Sequence, residues 1–247
     1  MSEIYAMLNR MLMELSYSGE AYEGWQIQPD RKTVQGTIEK VLSKINRNIS
    51  VSITGCGRTD TGVHAHQYFA HFDGFDLDGE QLKYKMNKML PPDIIIFAIY
   101  PSLLHARFDA KRRTYKYFIS KEKKPFHFRH CWILARNLDV EKMNLSCQYL
   151  LGEHDFASFA KGDTDVKTTL CEIYDIGWEE RENEYIFTVC ANRFLRNMVR
   201  AMVGTTVDIG LGKIKTSEIP HILAQKSRSS ASESVPAQGL FLWKIEY

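Results

Sequence analysis

Apolar and polar residues repeat along the chain with two different periods, and these periods predict its secondary structure. A period of two, or a short run rich in β-branched residues, indicates a strand, whereas apolar residues three or four apart indicate a helix. The pattern predicts strands at residues 11–17, 51–54, 68–72, 94–100, 113–119, 170–178, 184–191 and 240–247. It predicts helices at residues 34–46, 82–89, 139–151, 195–209 and 217–224. Because residues 94–100 form an unbroken apolar run, we expect that strand to be buried.

The order of these elements predicts the class of fold. Strands and helices are mixed without strict alternation, which is typical of α+β proteins with helices on one face of largely antiparallel sheets. We expect two similar α/β subdomains that meet at a central basic cleft. The predicted division lies near Ser102–Leu104 and gives subdomains of residues 1–103 and 104–247.

The composition disfavours a membrane-spanning protein, a secreted protein and a zinc ribbon. The chain has 247 residues, 44% hydrophobic and 25% charged, which is ordinary for a globular protein with a sizeable core. No apolar run approaches the roughly 20 residues that a membrane-spanning helix needs, and the start shows no signal peptide. The five cysteines form no C-x-x-C pair, which disfavours a zinc ribbon and predicts reduced thiols in a cytoplasmic protein.

The stretch from Gly55 to Ala65 contains three glycines, with Arg58 and Asp60 between them. A strand that ends at Gly-Cys-Gly leads into a loop whose backbone can adopt unusual torsion angles and approach a ligand closely. Binding and catalytic residues are often found on such loops. Because Arg58 and Asp60 are two residues apart, they would share one face of an extended segment, where the guanidinium could keep the carboxylate ionised.

Two other interpretations of Asp60 are open at this point. Aspartate near glycine often caps a turn with its own side chain and then serves the structure alone. Asp60-Thr61-Gly62 also matches the signature of aspartic proteases, which need two such aspartates sharing a proton. The chain has no second Asp-Thr-Gly or Asp-Ser-Gly, so a protease is disfavoured.

A basic and aromatic segment at residues 111–124 indicates a nucleic-acid partner, although the net charge is only +2. It carries seven basic residues and one acid, among them Arg113 and Lys116. Arg113, Tyr115 and Tyr117 share one face of the predicted strand because side chains repeat every two residues. The competing interpretation is a solvated strand edge protected by lysines.

Three arginines form a second basic group near the predicted helix 195–209. Arg193, Arg196 and Arg200 are three and four residues apart, so a helix would align them on one face. There is no acid between residues 191 and 207, and such a stripe suits phosphates. An ordinary solvated face is the alternative, but solvated faces usually mix acids with bases.

Metal and phosphate-loop motifs are absent from the sequence. The histidines have neither a helical H-x-x-x-H spacing nor nearby cysteines, so we expect no metal site. Gly210-Leu211-Gly212-Lys213 lacks the first glycine and the following serine or threonine of a phosphate loop.

Several motifs occur in one order along nearly the whole chain, and together they resemble the bacterial tRNA pseudouridine synthases of the A type. The glycine loop, with Gly57-Arg58-Thr59-Asp60 followed by Gly62-Val63-His64-Ala65, is the most specific of them. The others are Tyr22–Gln26, Thr33–Gly36, His105–Phe108, the Arg-x-Tyr-x-Tyr strand, Leu151–Phe156, Asn192–Arg200 and Pro236–Leu242. Thr61 departs from the alanine common in that family, and Thr114 interrupts the basic strand.

The resemblance implies isomerisation of uridine to pseudouridine at positions 38, 39 and 40 of the tRNA anticodon stem-loop, by a homodimer without cofactor or metal. The residues that it implies are Asp60 as the catalytic carboxylate, Arg58 as its partner, Tyr115 stacked on the target base, Arg200 in the same pocket, and Leu240 and Leu242 as an apolar wall. Arg113, Lys116, Arg193 and Arg196 are the expected RNA contacts. Whether Asp60 attacks as a nucleophile or acts as a base at C2′ stays open, since both routes need an ionised carboxylate.

A tRNA pseudouridine synthase is therefore the function that the sequence favours. The alternative is a non-catalytic RNA-binding protein that keeps the basic surface, although binding alone would not need a carboxylate beside phosphates. An aspartic protease is the third hypothesis, and it predicts no salt-sensitive binding of RNA.

Overall fold

The structure, a computed structural model, describes residues 10–74, 78–123, 125–161 and 167–247. The strands are β1 (Arg10–Tyr17), β2 (Thr54–Gly55), β3 (His64–Asp73), β4 (Ile94–Pro101), β5 (Arg112–Ser120), β6 (Trp132–Ile133), β7 (Gly152–Asp155), β8 (Leu170–Glu180), β9 (Glu184–Ala191) and β10 (Leu240–Glu246). The α-helices are α1 (Val34–Ile45), α2 (Gly79–Met89), α3 (Val140–Gln148), α4 (Met198–Gly210) and α5 (Ile219–Gln225). The α+β prediction is confirmed, because helices accompany strands that pair largely antiparallel. No described helix is long and apolar enough to cross a membrane.

The chain forms two compact units that divide it differently from the sequence prediction. Unit one comprises Met1–Lys111 and Leu242–Tyr247, and unit two comprises Arg112–Phe241. The division thus falls after Lys111 rather than after residue 103. Hydrogen bonds explain this, because the Lys111 amide donates to the Glu246 carbonyl at 2.8 Å and the Tyr247 hydroxyl donates to the Ala106 carbonyl at 2.8 Å.

In unit one the strand order is β4-β1-β3-β10, and β1 runs antiparallel to both β3 and β4. Helix α1 begins where predicted, because the Thr33 hydroxyl caps it by accepting from the Gly36 amide at 3.2 Å. Helix α2 packs against β4 and α1. Most of β1 is buried, and it lies at the centre of the hydrophobic core of this unit.

In unit two the strand order is β5-β9-β8-β7, antiparallel throughout, while the short strand β6 pairs in parallel with β5. Helix α3 packs against β8 and α4. Ten of the thirteen residues of α4 are buried, so this helix forms the centre of the core of the unit. Lys124, the last residue of the predicted basic segment, lies outside the described residues.

Two strand predictions were wrong in part. Residues 51–53 are not a strand, because α1 side chains satisfy their backbone: the Ile53 amide donates to Glu39 at 2.9 Å and its carbonyl accepts from Gln35 at 3.1 Å. The strand β4 exists but is not buried on both faces. Its residues alternate, with Phe97 49% exposed and Ile96 2% exposed, because one face of β4 packs on the core and the other is open.

An asparagine covers a strand edge in each unit. In unit one, the Asn87 side chain donates to the Ile96 carbonyl and accepts from the Ile96 amide, both at 2.8 Å. In unit two, the Asn144 side chain donates to the Trp178 carbonyl at 3.0 Å and accepts from its amide at 2.7 Å. Each amide side chain replaces one residue of a neighbouring strand and blocks the edge against further pairing.

A buried histidine fastens residues 105–106 to β3. Nδ1 of His71 accepts a hydrogen bond from the Ala106 amide at 3.0 Å, and the His71 ring lies edge-on to His105 at 4.6 Å. Burial lowers the pKa of His71 to about 4, and the nearby Arg10 guanidinium lowers it further. The ring is therefore neutral in the folded protein at physiological pH.

We expect this histidine to make the fold acid-sensitive. Its pKa is about 6.5 when unfolded and about 4 when folded, so the unfolded chain binds the extra proton as the pH falls through that window. The free energy of unfolding should decrease between pH 6.5 and pH 4, by up to about 1.4 kcal/mol per pH unit. The variant His71→Asn keeps an acceptor but no titrating ring, so urea denaturation across this range should show a shallower slope. Equal slopes in the two proteins would contradict the prediction.

Candidate active site

The loop between β2 and β3 carries Arg58 and Asp60. The Cys56 amide donates to the Phe69 carbonyl at 2.8 Å, so the loop leaves the sheet at a buried position. The Val63 amide donates to the Asp60 carbonyl at 3.1 Å and closes a turn before β3 begins. Asp60 is half-buried and Arg58 is exposed. Asp60 is the only acidic residue of this loop.

Two tyrosines hold the loop from the strands beneath it. The Tyr17 hydroxyl at the end of β1 lies 2.8 Å from the buried Thr59 hydroxyl, and the Tyr68 hydroxyl of β3 donates to the Gly57 carbonyl. The ring of Trp25 stacks on Tyr68 at 4.1 Å. These hydrogen bonds reach the residues on either side of Arg58 and fix the backbone that leads to Asp60.

The preceding loop, residues 18–25, holds the same segment from its other side. The Trp25 amide donates to the Thr59 carbonyl at 3.2 Å, and the Gly62 amide donates to the Tyr22 carbonyl at 3.3 Å. The Gly19 amide donates to Nδ1 of His64 at 3.1 Å. Backbone lies against backbone here, so the segment around Asp60 is held at several points.

The glycines of the two loops have different tasks. A Cβ on Gly24, which has φ +87°, would lie 2.6 Å from the Thr59 carbonyl oxygen, and one on Gly19 would lie 2.0 Å from the Val63 carbonyl oxygen. A Cβ on Gly55 would meet Tyr68 and Trp25. A Cβ on Gly57 meets nothing within 4 Å. Of these four positions, only Gly57 therefore leaves open space for a ligand.

The predicted contact between Arg58 and Asp60 is not formed. Among the described residues, the Arg58 guanidinium makes no hydrogen bond or ion pair, and it extends into solvent. The alternation argument failed because residues 56–63 are a loop closed by a turn, and side chains two apart in a turn do not share a face.

In unit two, β5 presents Tyr115 beside a second aromatic ring. Phe194 lies edge-to-face with Tyr115, with ring centres 5.0 Å apart. Arg113, on the same face of β5, donates from its guanidinium to the Asn192 carbonyl at 2.7 Å. The stretch 192–194 is therefore tied to β5, which the sequence pattern did not indicate. Phe194 was visible only as part of a motif.

Tyr117, also on this face, is fully buried and supports the segment before β10. Its hydroxyl donates to the Pro236 carbonyl at 2.7 Å, and burial raises its pKa far above the usual range. A Cβ on Gly239 would lie 2.7 Å from the Tyr117 ring, so glycine is needed there. Leu240, which follows, is buried in unit two, while Leu242 is buried in unit one.

The arginine stripe predicted on one helix was wrong. Helix α4 begins at Met198 because Asn197 adopts the left-handed conformation with φ 67°, which the helix cannot continue through. Arg193 and Arg196 therefore precede the helix, and Arg196 is exposed. Arg200 lies on α4, where its Nε donates to the Val235 carbonyl at 2.7 Å.

Lys116 and the cysteines complete the comparison with the sequence. Lys116 is half-buried on β5 and close enough to Glu179 to contribute to the lowered pKa of that carboxyl, after Arg181. None of the five cysteines forms a disulfide and all are buried, and burial raises the pKa of Cys171 to about 11. Among the described residues, no group of three or more His, Cys, Asp and Glu could hold a metal ion.

Several curated proteins that are similar to this chain over nearly its full length share one name. A tRNA pseudouridine synthase A of Parabacteroides distasonis is 43% identical and covers 97% of this chain and 96% of its own. The chain belongs to the tRNA pseudouridine synthase A family. As a member of that family it is an enzyme of the isomerase class.

Two further curated relatives carry the same name. The tRNA pseudouridine synthase A of Bacteroides thetaiotaomicron is 42% identical over 97% of this chain and 91% of its own, and that of a Geobacillus species is 39% identical over 98% and 99%. The family model described as tRNA pseudouridine synthase matches residues 146–247. A solved H/ACA RNP bound to a substrate RNA containing 2′-deoxyuridine is a distant likeness, with 12% identity and a TM-score of 0.33 over 80% of this chain and 53% of its own.

Two glycine variants, Gly24→Ala in loop 18–25 and Gly57→Ala in the loop between β2 and β3, separate close packing from open space. We expect Gly24→Ala to lower the free energy of unfolding by about 1–3 kcal/mol, because the left-handed backbone and the Thr59 carbonyl both oppose a Cβ. Gly57→Ala should change it by less than about 1 kcal/mol, because its Cβ meets nothing. Urea denaturation of the two variants measures the difference, and equal losses would show that the close approach at Gly24 has no energetic weight.

Proposed function

We propose that this protein isomerises uridine to pseudouridine at positions 38, 39 and 40 of the tRNA anticodon stem-loop, with Asp60 as the catalytic carboxylate. The observation that carries the proposal is the anchored loop around Asp60, which is held by Tyr17, Tyr68 and the 18–25 loop and offers a single acidic side chain. Relatives 42–43% identical are named as tRNA pseudouridine synthases.

The chemistry needs one ionised carboxylate at a fixed position. The N1–C1′ bond of the uridine must break, and the same uracil must rejoin the ribose through C5. Asp60 either attacks the sugar as a nucleophile or removes a proton from C2′, and each route fails if the group is protonated or displaced. A backbone fixed in advance lowers the cost of reaching the transition state because little has to reorganise.

The uridine must also leave its stack, which costs a few kcal/mol. Tyr115 would offset this by stacking on the base, in a role that Phe194 supports by fixing the tyrosine ring edge-to-face. Leu240 and Leu242, both apolar, are proposed as the wall behind the base, as the family resemblance implies. Arg200 has one guanidinium nitrogen on the Val235 carbonyl and further donors for substrate oxygens.

The remaining basic residues are proposed as RNA contacts of different strength. Arg196 is exposed and suited to phosphate, and Arg193 is half-buried. Arg113 also holds the Asn192 carbonyl, and Lys116 lies near Glu179, so both would serve structure as well as RNA. Arg58, which is exposed in the free protein, would join Asp60 when substrate is bound. The proposal further includes a homodimer that acts in the cytoplasm, as the family resemblance implies.

We expect Asp60→Asn to abolish turnover and leave binding intact. The amide keeps the shape of the side chain but cannot act as nucleophile or base, so pseudouridine formation on an unmodified tRNA transcript should fall by about a thousandfold or more. Affinity for the same transcript should stay within about threefold. The matched control is Asp175→Asn, which changes an exposed carboxylate of β8.

Two outcomes would decide against the proposal. Wild-type protein that binds tRNA tightly but forms no pseudouridine would favour the non-catalytic RNA-binding alternative. Full activity of Asp60→Asn would remove Asp60 from the chemistry. Mapping of the modified positions tests the assignment to 38, 39 and 40 separately from the activity itself.

Gly57 provides an independent test of where the substrate approaches. If the ribose comes close to the loop backbone there, a methyl group at Gly57 obstructs the complex without touching the free protein. We expect Gly57→Ala to reduce kcat/KM by about tenfold, a loss of roughly 1.4 kcal/mol in transition-state binding. The control Ser52→Ala, at an exposed residue before the loop, should be unchanged. Undiminished kcat/KM of Gly57→Ala would place the substrate elsewhere.

A further inference from the structure

The connection from β5 to β6 contains a short aromatic and basic loop, residues 125–130, with the sequence Pro-Phe-His-Phe-Arg-His. Every residue of this loop is exposed, and Phe126 is 92% exposed. A single exposed apolar side chain is common on protein surfaces and needs no explanation. Here two phenylalanines, two histidines and an arginine occur within six residues without an acid, which is unusual for a turn that only connects two strands.

The base of the loop is anchored, although its tip is open. The His130 amide donates to the His127 carbonyl at 2.9 Å, and the thiol of the buried Cys131 donates to the same oxygen at 3.3 Å. Gln238 donates from its side chain to the Phe128 carbonyl at 3.5 Å. Phe126 therefore lies on a turn whose backbone is held by hydrogen bonds. A partner would not have to order the whole loop on binding.

The loop adjoins the part of unit two that is proposed to hold the target base. The His130 ring lies 6.3 Å from the ring of Phe241, which in turn lies edge-to-face with Phe118 at 5.3 Å. Phe118 is three residues beyond Tyr115 on β5, or about 10 Å along the strand, and its side chain points to the opposite face of the strand. Phe241 directly follows Leu240. The loop follows the end of β5 at Ser120, so an RNA strand that continues from a nucleotide at Tyr115 past this end of the strand could reach it.

The loop itself carries a fixed positive charge on Arg129 and no acidic residue. Before the loop, Lys121 forms an ion pair with Glu180 at 2.6 Å, and Glu122 and Lys123 are exposed with opposite charges. The Arg129 guanidinium lies 5.3 Å from the centre of the Phe128 ring. Aromatic rings for base stacking, combined with cations that follow the phosphates, are the features by which proteins bind unpaired nucleic acid.

We propose that loop 125–130 binds an unpaired nucleotide of the substrate RNA, with the base stacked on Phe126 and a neighbouring phosphate at Arg129. This inference rests on the proposed function, because it takes RNA as the substrate. It extends that function by adding a contact outside the residues that handle the reacting uridine. A fully paired RNA offers no free base face and would not use Phe126.

The test measures affinity without requiring turnover. All variants are made in the Asp60→Asn background, and binding of a fluorescein-labelled, unmodified tRNA transcript is followed by fluorescence anisotropy. Phe126→Ala should weaken binding by about tenfold, and Phe126→Trp should retain it. Binding of a fully paired RNA duplex should be the same with Phe126 or Ala. The matched control is Tyr84→Ala, an aromatic residue of α2 that is 65% exposed and lies near Lys88.

A second measurement tests the phosphate contact. The log of the affinity falls as the log of the salt concentration rises, and Arg129→Gln should make this dependence shallower by about one unit of slope. Phe126→Ala should leave the slope unchanged. Less than a twofold effect of Phe126→Ala on the tRNA transcript would overturn the proposal, as would an equal loss on the duplex. The proposal would also be overturned if the Phe126→Ala variant sedimented as a smaller oligomer than the protein with Phe126, because the loop would then bind a second copy of the chain.

The outcomes distinguish this inference from the function on which it rests. If wild-type protein forms no pseudouridine but Phe126→Ala still weakens binding of tRNA alone, the proposed reaction fails and the RNA contact stands. If wild-type protein is active and Phe126→Ala binds and reacts like it, the reaction stands and the loop has no part in binding.

Discussion

The hydrogen bonds that hold Thr59 are the constraint on which the candidate site depends. Its hydroxyl forms a hydrogen bond with the Tyr17 hydroxyl, and its carbonyl accepts one from the Trp25 amide. Strand β1 and loop 18–25 therefore both hold the residue directly before Asp60. Ordering a loop costs about 1–2 kcal/mol of backbone entropy per residue, whereas one hydrogen bond returns about 1 kcal/mol net. The rest must come from burial of the rings of Tyr17, Trp25 and Tyr68, which pack together beneath the loop.

Local patterns predicted much of the fold, and they failed where a distant side chain or one torsion angle decided the outcome. Helix α1 was placed correctly because its cap and its apolar period lie in the same twelve or so residues. Residues 51–53 have strand-like composition, but Gln35 and Glu39 of α1 take their hydrogen bonds. Helix α4 begins after Asn197, whose left-handed backbone no period of apolar residues reveals.

The sequence motifs pointed to the candidate site residues, but they did not reveal the contacts that hold the loop around Asp60 in place. The glycine loop marked Asp60, and the alternating strand marked Tyr115. The sequence explained Gly55 by ligand approach, whereas the structure assigns it to contact with Tyr68 and Trp25. A glycine in the sequence is compatible with close approach of a ligand and with close packing inside the protein. Only the atoms around it in the structure distinguish these two roles. The supports contributed by Tyr17 and Gly24 are tertiary contacts, which composition and spacing do not encode.

Several residues proposed to bind substrate also hold the fold of unit two together. Arg113 donates to the Asn192 carbonyl and Arg200 donates to the Val235 carbonyl. Each guanidinium therefore uses one of its N–H donors to bind a backbone oxygen. Alanine at either position would remove a structural hydrogen bond along with any contact to substrate, and the two losses would be measured together. Phe126 and Arg196 are both exposed, on loop 125–130 and before α4 respectively. Substitutions at exposed positions therefore report on RNA most directly, and the anchored arginines report on how the fold positions it.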